Sequence, residues 1–177
     1  MGMANFYHTF VPEKNTSGKI EWIKEKIKEG WIKYATKVIF IDHIDFLTPS
    51  SVKTSDNEQI ALKRIAIELK QLALELEVTI VVMAHIKKID DNREPRLHDI
   101  GYSAGIFQLA DYVFMIYREK ITNSGLVSTE GDMATNNTFI RILKNRETGD
   151  LKYIKATYSQ GRFIQLTKGY EEQPKFN

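Results

Sequence analysis

The chain has 177 residues, 42% of them hydrophobic and 27% charged, with a net charge of +2. That balance excludes a wholly disordered chain, and the length fits one domain with a single core. No apolar run approaches the ~18–20 residues of a membrane span, the amino terminus has no basic-then-apolar leader, and cysteine is absent, which excludes disulfides, thiolate metal sites and a cysteine nucleophile. A cytoplasmic protein is the default expectation, and any nucleic-acid contact must come from local clusters of charge.

Ile20, Ile23, Ile27 and Trp31 lie on one face of a predicted helix, with Ser17 as N-cap and Gly30 near its end. Val38–Ile41 follows as a short apolar run ending in Asp42, the pattern of a strand buried on both faces. After the polar stretch Thr48–Asp56, Ser55 and Glu58 form a capping box for a helix carrying Ile65, Leu69, Leu72 and Leu76 on one face. A second buried strand spans Thr79–His85, and Lys87–Arg96 is a polar loop. A short helix is expected over Ser103–Ala110 and a third buried strand over Tyr112–Tyr117. Ile121–Asn137 reads as a flexible excursion. Phe139–Lys144 and Leu151–Tyr158 form a hairpin with Gly149 in its turn, and Arg162–Leu166 completes a meander. The fold class is therefore α/β with a C-terminal antiparallel appendix, followed by a frayed polar tail from Gly169.

Three constellations carry chemistry. Asp42 ends a buried strand at the edge where α/β sheets bind ligands, and a carboxylate there can hold Mg²⁺ through water or cap the following turn with Asp45. His85 ends the next strand and can donate a hydrogen bond to a phosphate. Lys144 and Arg146, two apart beside a tight turn, can direct two cations at one anion or simply form a solvated hairpin tip.

The order strand-Asp42, helix, strand-His85, basic loop, the segment Asp99-Ile100-Gly101-Tyr102-Ser103-Ala104-Gly105-Ile106-Phe107-Gln108-Leu109-Ala110-Asp111, then Ile142-Leu143-Lys144-Asn145-Arg146-Glu147-Thr148-Gly149 resembles the helicase domain of hexameric replicative DNA helicases, the DnaB-type and phage primase-helicase group. The resemblance covers about Thr16 to Leu166, and its most specific parts are Gln108…Asp111 and Lys-x-Arg-x-x-Gly. It implies a RecA-like, mostly parallel sheet flanked by helices. It implies that Asp42 is the Walker B aspartate positioning Mg²⁺, that His85 senses the γ-phosphate, that Arg146 is an arginine finger reaching a neighbouring subunit, and that Lys144 is its companion cation. Lys87, Lys88 and Arg93 would face single-stranded DNA in the central channel, with Tyr102 and Ser103 in a second channel loop. Where the family often has Arg, this chain has Gly101, and Tyr102 offers base stacking there.

Nowhere in the 177 residues is there a Gly-x-x-x-x-Gly-Lys-Ser/Thr phosphate loop; Gly18-Lys19 lacks the preceding glycine and the following hydroxyl. The expectation is the C-terminal half of a RecA-like domain over residues 1–168, with a polar tail over 169–177, from a cut-down expression form or a truncated gene. The resemblance implies that ATP and Mg²⁺ serve the complete protein, that the complete protein self-associates into a ring, and that this chain alone binds neither cofactor tightly. The alternatives are a non-catalytic nucleic-acid-binding or assembly module and a divergent recombinase-like ATPase. A missing phosphate-loop strand also predicts either direct pairing of Thr79–His85 with Tyr112–Tyr117 or a filler such as Asn5–Val11.

Overall fold

The computed structural model describes Tyr7, Thr9, residues 19–48 and 55–85, Arg96, Asp99, and residues 103–120, 134–165 and 171–172. The chain divides into two compact units, Met1–His85 and Ile86–Asn177.

In the first unit, α1 (Lys19–Tyr34) is followed by β1 (Val38–Ile41), a 3₁₀ turn (Ile44–Leu47), α2 (Ser55–Leu76) and β2 (Thr79–Val82). The apolar spacing of α1 buries Ile23 and Ile27, whereas Trp31, on the same stripe, is partly exposed at the last turn. Ala35 takes a left-handed conformation (φ 50°) and its N–H returns to Trp31 O at 3.1 Å, which ends the helix. The α2 stripe buries Leu62, Ile65, Leu69, Leu72 and Leu76, and Lys24 of α1 reaches Glu68 of α2 at 2.8 Å. The helix begins at Ser55 itself; the Ser55 side chain of the expected capping box is outside the described residues, as is Ser17. Its end is a six-to-one closure, Val78 N–H to Ala73 O at 3.0 Å, with Glu77 left-handed at φ 52°.

β1 and β2 pair in parallel, with Val38 opposite Thr79 and Ile41 opposite Val82. The expectation of two buried faces is corrected here. Ile41 is buried, but Val38 and Phe40 are half exposed, Phe40 at 57%. The continuous apolar run suits a two-faced strand, yet the described residues cover only one of its faces.

The second unit holds α3 (Ser103–Leu109), β3 (Tyr112–Lys120), β4 (Ala134–Asn145), β5 (Lys152–Ser159), β6 (Arg162–Gln165) and the short β7 (Glu171–Glu172). β3, β4, β5 and β6 run in that order as an antiparallel meander, and β7 adds to β5 beyond β6. The tail is thus paired at Glu171 and Glu172, where fraying is expected from its polarity. β3 is likewise corrected from a doubly buried strand. It alternates, Val113 and Met115 buried, Phe114 and Ile116 exposed, because it pairs antiparallel with β4 and only one face meets the core. Part of the expected excursion is strand: β4 begins at Ala134, opposite Lys120. The β5–β6 turn, Gln160-Gly161, has both residues at positive φ (48° and 78°), the geometry that lets a two-residue hairpin follow the strand twist. Of the two alternatives for the His85 strand, direct pairing with the Tyr112 strand is not among the pairings of the described residues, where β2 pairs with β1 and β3 with β4. The proposed filler Asn5–Val11 lies outside the described residues, apart from Tyr7, whose ring stacks on Tyr34 at 3.9 Å, and Thr9.

Thr138 sits inside β4, opposite Ala156 of β5, and both are buried. Its hydroxyl has no hydrogen-bond partner among the described residues. An unsatisfied buried hydroxyl costs about 1–3 kcal/mol. Thr138→Val keeps the shape and removes the hydroxyl, and should raise unfolding stability by about 1 kcal/mol in urea titrations. By contrast, Leu62→Ala, at a fully buried α2 position, should cost about 2–5 kcal/mol in the same assay.

Candidate functional site

In the first unit the site residues lie where two parallel strands end. Met83 N–H bonds Ile41 O at 2.9 Å, and Ile44 N–H bonds Met83 O at 3.0 Å. These bonds carry the β1–β2 ladder past the strands and lock the 3₁₀ turn against the exit of β2. Ile44, 1% exposed, plugs the turn into the core. Asp42 and His85 therefore emerge at the same edge, the carboxyl end of a parallel pair. The Asp42 side chain is 73% exposed, with His43 Nδ1 3.8 Å from its Oδ1.

His43, which pattern reasoning passes over, and Asp45, which it offers only as a turn cap, complete this edge. The His43 ring packs edge-on against His85 at 4.2 Å and lies 4.3 Å from Phe46. Asp45 Oδ2 lies 3.9 Å from His43 Nε2 and 3.7 Å from His85 Nδ1. The signal is present as His-x-Asp directly after a strand aspartate, but it gains meaning only once β2 brings His85 alongside.

In the second unit a bulge decides the geometry. Val113 pairs with Lys144, but Phe114 pairs with Ile142, so Leu143 is an extra residue in β4. In a regular strand Ile142 and Lys144 would share a face. The extra residue turns Ile142 to the Phe114 face and Lys144 to the buried Val113 face. There the Lys144 ammonium donates to the carbonyls of Phe107 (2.7 Å) and Gln108 (3.2 Å) at the end of α3. This satisfies orphan helix carbonyls and complements the negative end of the helix.

Arg146 stands in the turn after β4. Its N–H bonds Asp111 O at 2.9 Å, and its guanidinium lies 3.5 Å from Asp111 Oδ1 while remaining 66% exposed. Asn145 organises the turn: its carboxamide oxygen accepts from Glu147 N–H and Thr148 N–H, both at 3.2 Å. Gly149, left-handed at φ 74°, closes it with an N–H bond to Asn145 O. The Tyr112 hydroxyl donates to Glu147, and this bond raises the phenol pKa above its ordinary value. The two cations expected to converge on one anion thus have different immediate partners: Lys144 is tied to α3, and Arg146 is presented outward beside Asp111. Lys87, Lys88, Arg93 and Tyr102 lie outside the described residues; Ser103 begins α3, and its side chain lies outside them too.

The sequence profile of the family described as DnaB-like helicase C terminal domain matches residues 4–165. The chain belongs to this family. A protein named as a probable replicative DNA helicase from Trieres chinensis is 30% identical over 131 residues, 72% of this chain and 28% of the relative. Replicative DNA helicase DnaB of Helicobacter pylori is 39% identical over 84 residues, 46% of this chain and 17% of the relative. The chain therefore spans less than a third of either relative's length. Among solved structures, a DnaB-like replicative helicase studied for its interactions with primase superposes with a TM-score of 0.64 at 22% identity, covering 84% of this chain and 36% of that one. A second solved structure, an ATPase domain, gives the same score and identity, with 51% of its chain covered. The fold is that of RecA-like helicase ATPase domains, and no described helix is long and apolar enough to cross a membrane.

The different anchoring of the two cations predicts different costs to stability when each is removed. Lys144→Met leaves two α3 carbonyls unmatched and should lower unfolding stability by roughly 1–2 kcal/mol. Arg146→Ala loses only an exposed ion pair and should cost less than about 1 kcal/mol. Urea unfolding of the two variants checks the difference.

Proposed function

We propose that this DnaB-family chain is part of a replicative helicase that couples ATP hydrolysis to movement along single-stranded DNA and to duplex unwinding. The observation that carries the reading is the placement of Asp42 and His85 at the carboxyl ends of two paired parallel strands, in a chain whose profile match spans residues 4–165. Asp42 suits Mg²⁺: it is an exposed oxygen donor, and this ion keeps most of its waters while taking one or two carboxylates and the nucleotide phosphates. The ion, when bound, neutralises charge developing on the transferred phosphoryl group. His85 presents an imidazole to the γ-phosphate position. Arg146 extends from an ordered turn, suited to reach the nucleotide of a neighbouring subunit in a ring, which we take to be a hexamer. Lys144 acts as a positioning residue, fixing the root of that turn to α3. Lys87, Lys88 and Arg93 supply backbone contacts to single-stranded DNA, and Tyr102 and Ser103, the latter the first residue of α3, supply a second channel-facing segment. The exposed apolar face of β1 supports the same reading, since in a longer domain it is a seat for further elements.

The test uses a helicase ring carrying this domain together with a phosphate loop. Arg146→Ala should leave nucleotide binding nearly intact and lower kcat by on the order of a thousandfold or more. Arg146→Lys should rescue poorly, because an ammonium lacks the guanidinium fork. Mixing Arg146→Ala with Asp42→Asn subunits should restore part of the activity, since some interfaces then pair an intact Asp42 with an intact neighbouring Arg146. Full activity of Arg146→Ala at saturating ATP would refute the assignment.

A further inference from the structure

His43 and Asp45 have no part in the chemistry proposed above, yet they converge with His85. Each of the three offers one ligand atom, and these atoms all lie within 4.8 Å of one another. We propose that His43, Asp45 and His85 form a binding site for a transition-metal dication of the Zn²⁺ class.

The geometry is close to what such an ion requires. With metal–ligand lengths of about 2.0–2.1 Å in a tetrahedral site, ligand atoms stand roughly 3.3–3.4 Å apart. His43 Nε2 and His85 Nδ1 stand 3.9 and 3.7 Å from the same Asp45 oxygen. Small side-chain rotations close that difference. The backbone is already fixed: Ile44, between His43 and Asp45, is buried and its N–H is bonded to Met83 O, two residues before His85. The ligands are therefore brought together by hydrogen bonds made for other reasons, which limits the ordering cost of binding.

The donor set selects the ion. Two imidazoles and one carboxylate suit Zn²⁺, Co²⁺ or Ni²⁺, whereas Mg²⁺ prefers an all-oxygen shell. Asp42 Oδ1 lies 3.8 Å from His43 Nδ1, on the ring nitrogen turned away from Asp45. At that distance the Asp42 carboxylate makes no hydrogen bond to the ring; it adds negative charge beside the ligand set. The His85 side chain is 70% exposed, so the fourth position is open to water or an anion. Edge-on packing of the two rings explains their own proximity, but it does not call for a carboxylate oxygen within 4 Å of both. The site shares His85 with the helicase reading but does not rest on it. If that reading also holds, an ion bound here engages His85 and competes with its role at phosphate.

The test is a titration of the full 177-residue chain, free of any polyhistidine tag, by calorimetry. The chain has no cysteine and only two other histidines, His8 and His98. Zn²⁺ should bind at one equivalent with micromolar or tighter affinity, Mg²⁺ should give no saturable signal at the same concentrations, and Co²⁺ should develop the visible bands of a low-coordinate site. His85→Gln, at an exposed position, and the isosteric Asp45→Asn should each weaken Zn²⁺ binding at least about tenfold, with far-UV circular dichroism unchanged. The double variant His8→Gln/His98→Gln should bind as the parent does. Absence of stoichiometric Zn²⁺ binding, undiminished binding in His85→Gln and Asp45→Asn, or loss of binding in the His8/His98 variant would each overturn the proposal.

Discussion

Parallel pairing of β1 with β2 in one register constrains everything at the first unit's ligand edge. Ile41 lies opposite Val82, and the ladder continues through Met83 N–H to Ile41 O and Ile44 N–H to Met83 O. Strand side chains alternate with a period of two, so a slip of one residue would send Asp42 and His85 to opposite faces. The register is held from both sides. Backbone bonds fix the strands to each other, and Ile41, Ile44 and Leu47 fix them to the core under α2. With that register set, the carboxylate of Asp42, the rings of His43 and His85 and the carboxylate of Asp45 have little choice but to share one edge.

The second unit solves a different problem, which is to present one cation while using another as an anchor. Antiparallel pairing alone would place Ile142 and Lys144 on the same face. The additional residue at Leu143 separates them and directs Lys144 to the α3 carbonyls of Phe107 and Gln108. Asp111, two residues beyond α3, then takes the backbone and guanidinium of Arg146. The segment Gln108–Asp111 and the Lys-x-Arg-x-x-Gly segment are far apart in the chain but form one structural unit. That is a physical reason for the two to occur together: each supplies partners that the other lacks.

Exposed apolar surface marks where each unit is open. Phe40 on β1 and Phe114 and Ile116 on β3 face solvent, although these are residue types that normally contribute to cores. A strand with one covered face tolerates exposed apolar side chains on the other. The RecA-like neighbours share this chain's fold over part of their length, and the ATPase domain among them is about half covered by it.

Much of the fold is legible in local pattern. The three-and-four spacing of Ile23 and Ile27, and of Ile65, Leu69, Leu72 and Leu76, marks the buried stripes of α1 and α2, because a helix repeats every 3.6 residues whatever lies around it. The runs ending in Asp42 and His85 mark the strands, and Gly149 marks the hairpin, because its φ of 74° is one that glycine adopts without strain. Tertiary structure alone decides the rest. Periodicity reports which residues share a face, but not whether a second layer covers it, so an apolar run makes Phe40 and Phe114 look buried when they are not. A bulge leaves no mark in composition, so the partners of Lys144 are invisible in Lys-x-Arg. The convergence of His43, Asp45 and His85 depends on a parallel neighbour that returns only after the whole of α2, a distance across which sequence spacing carries no angular information.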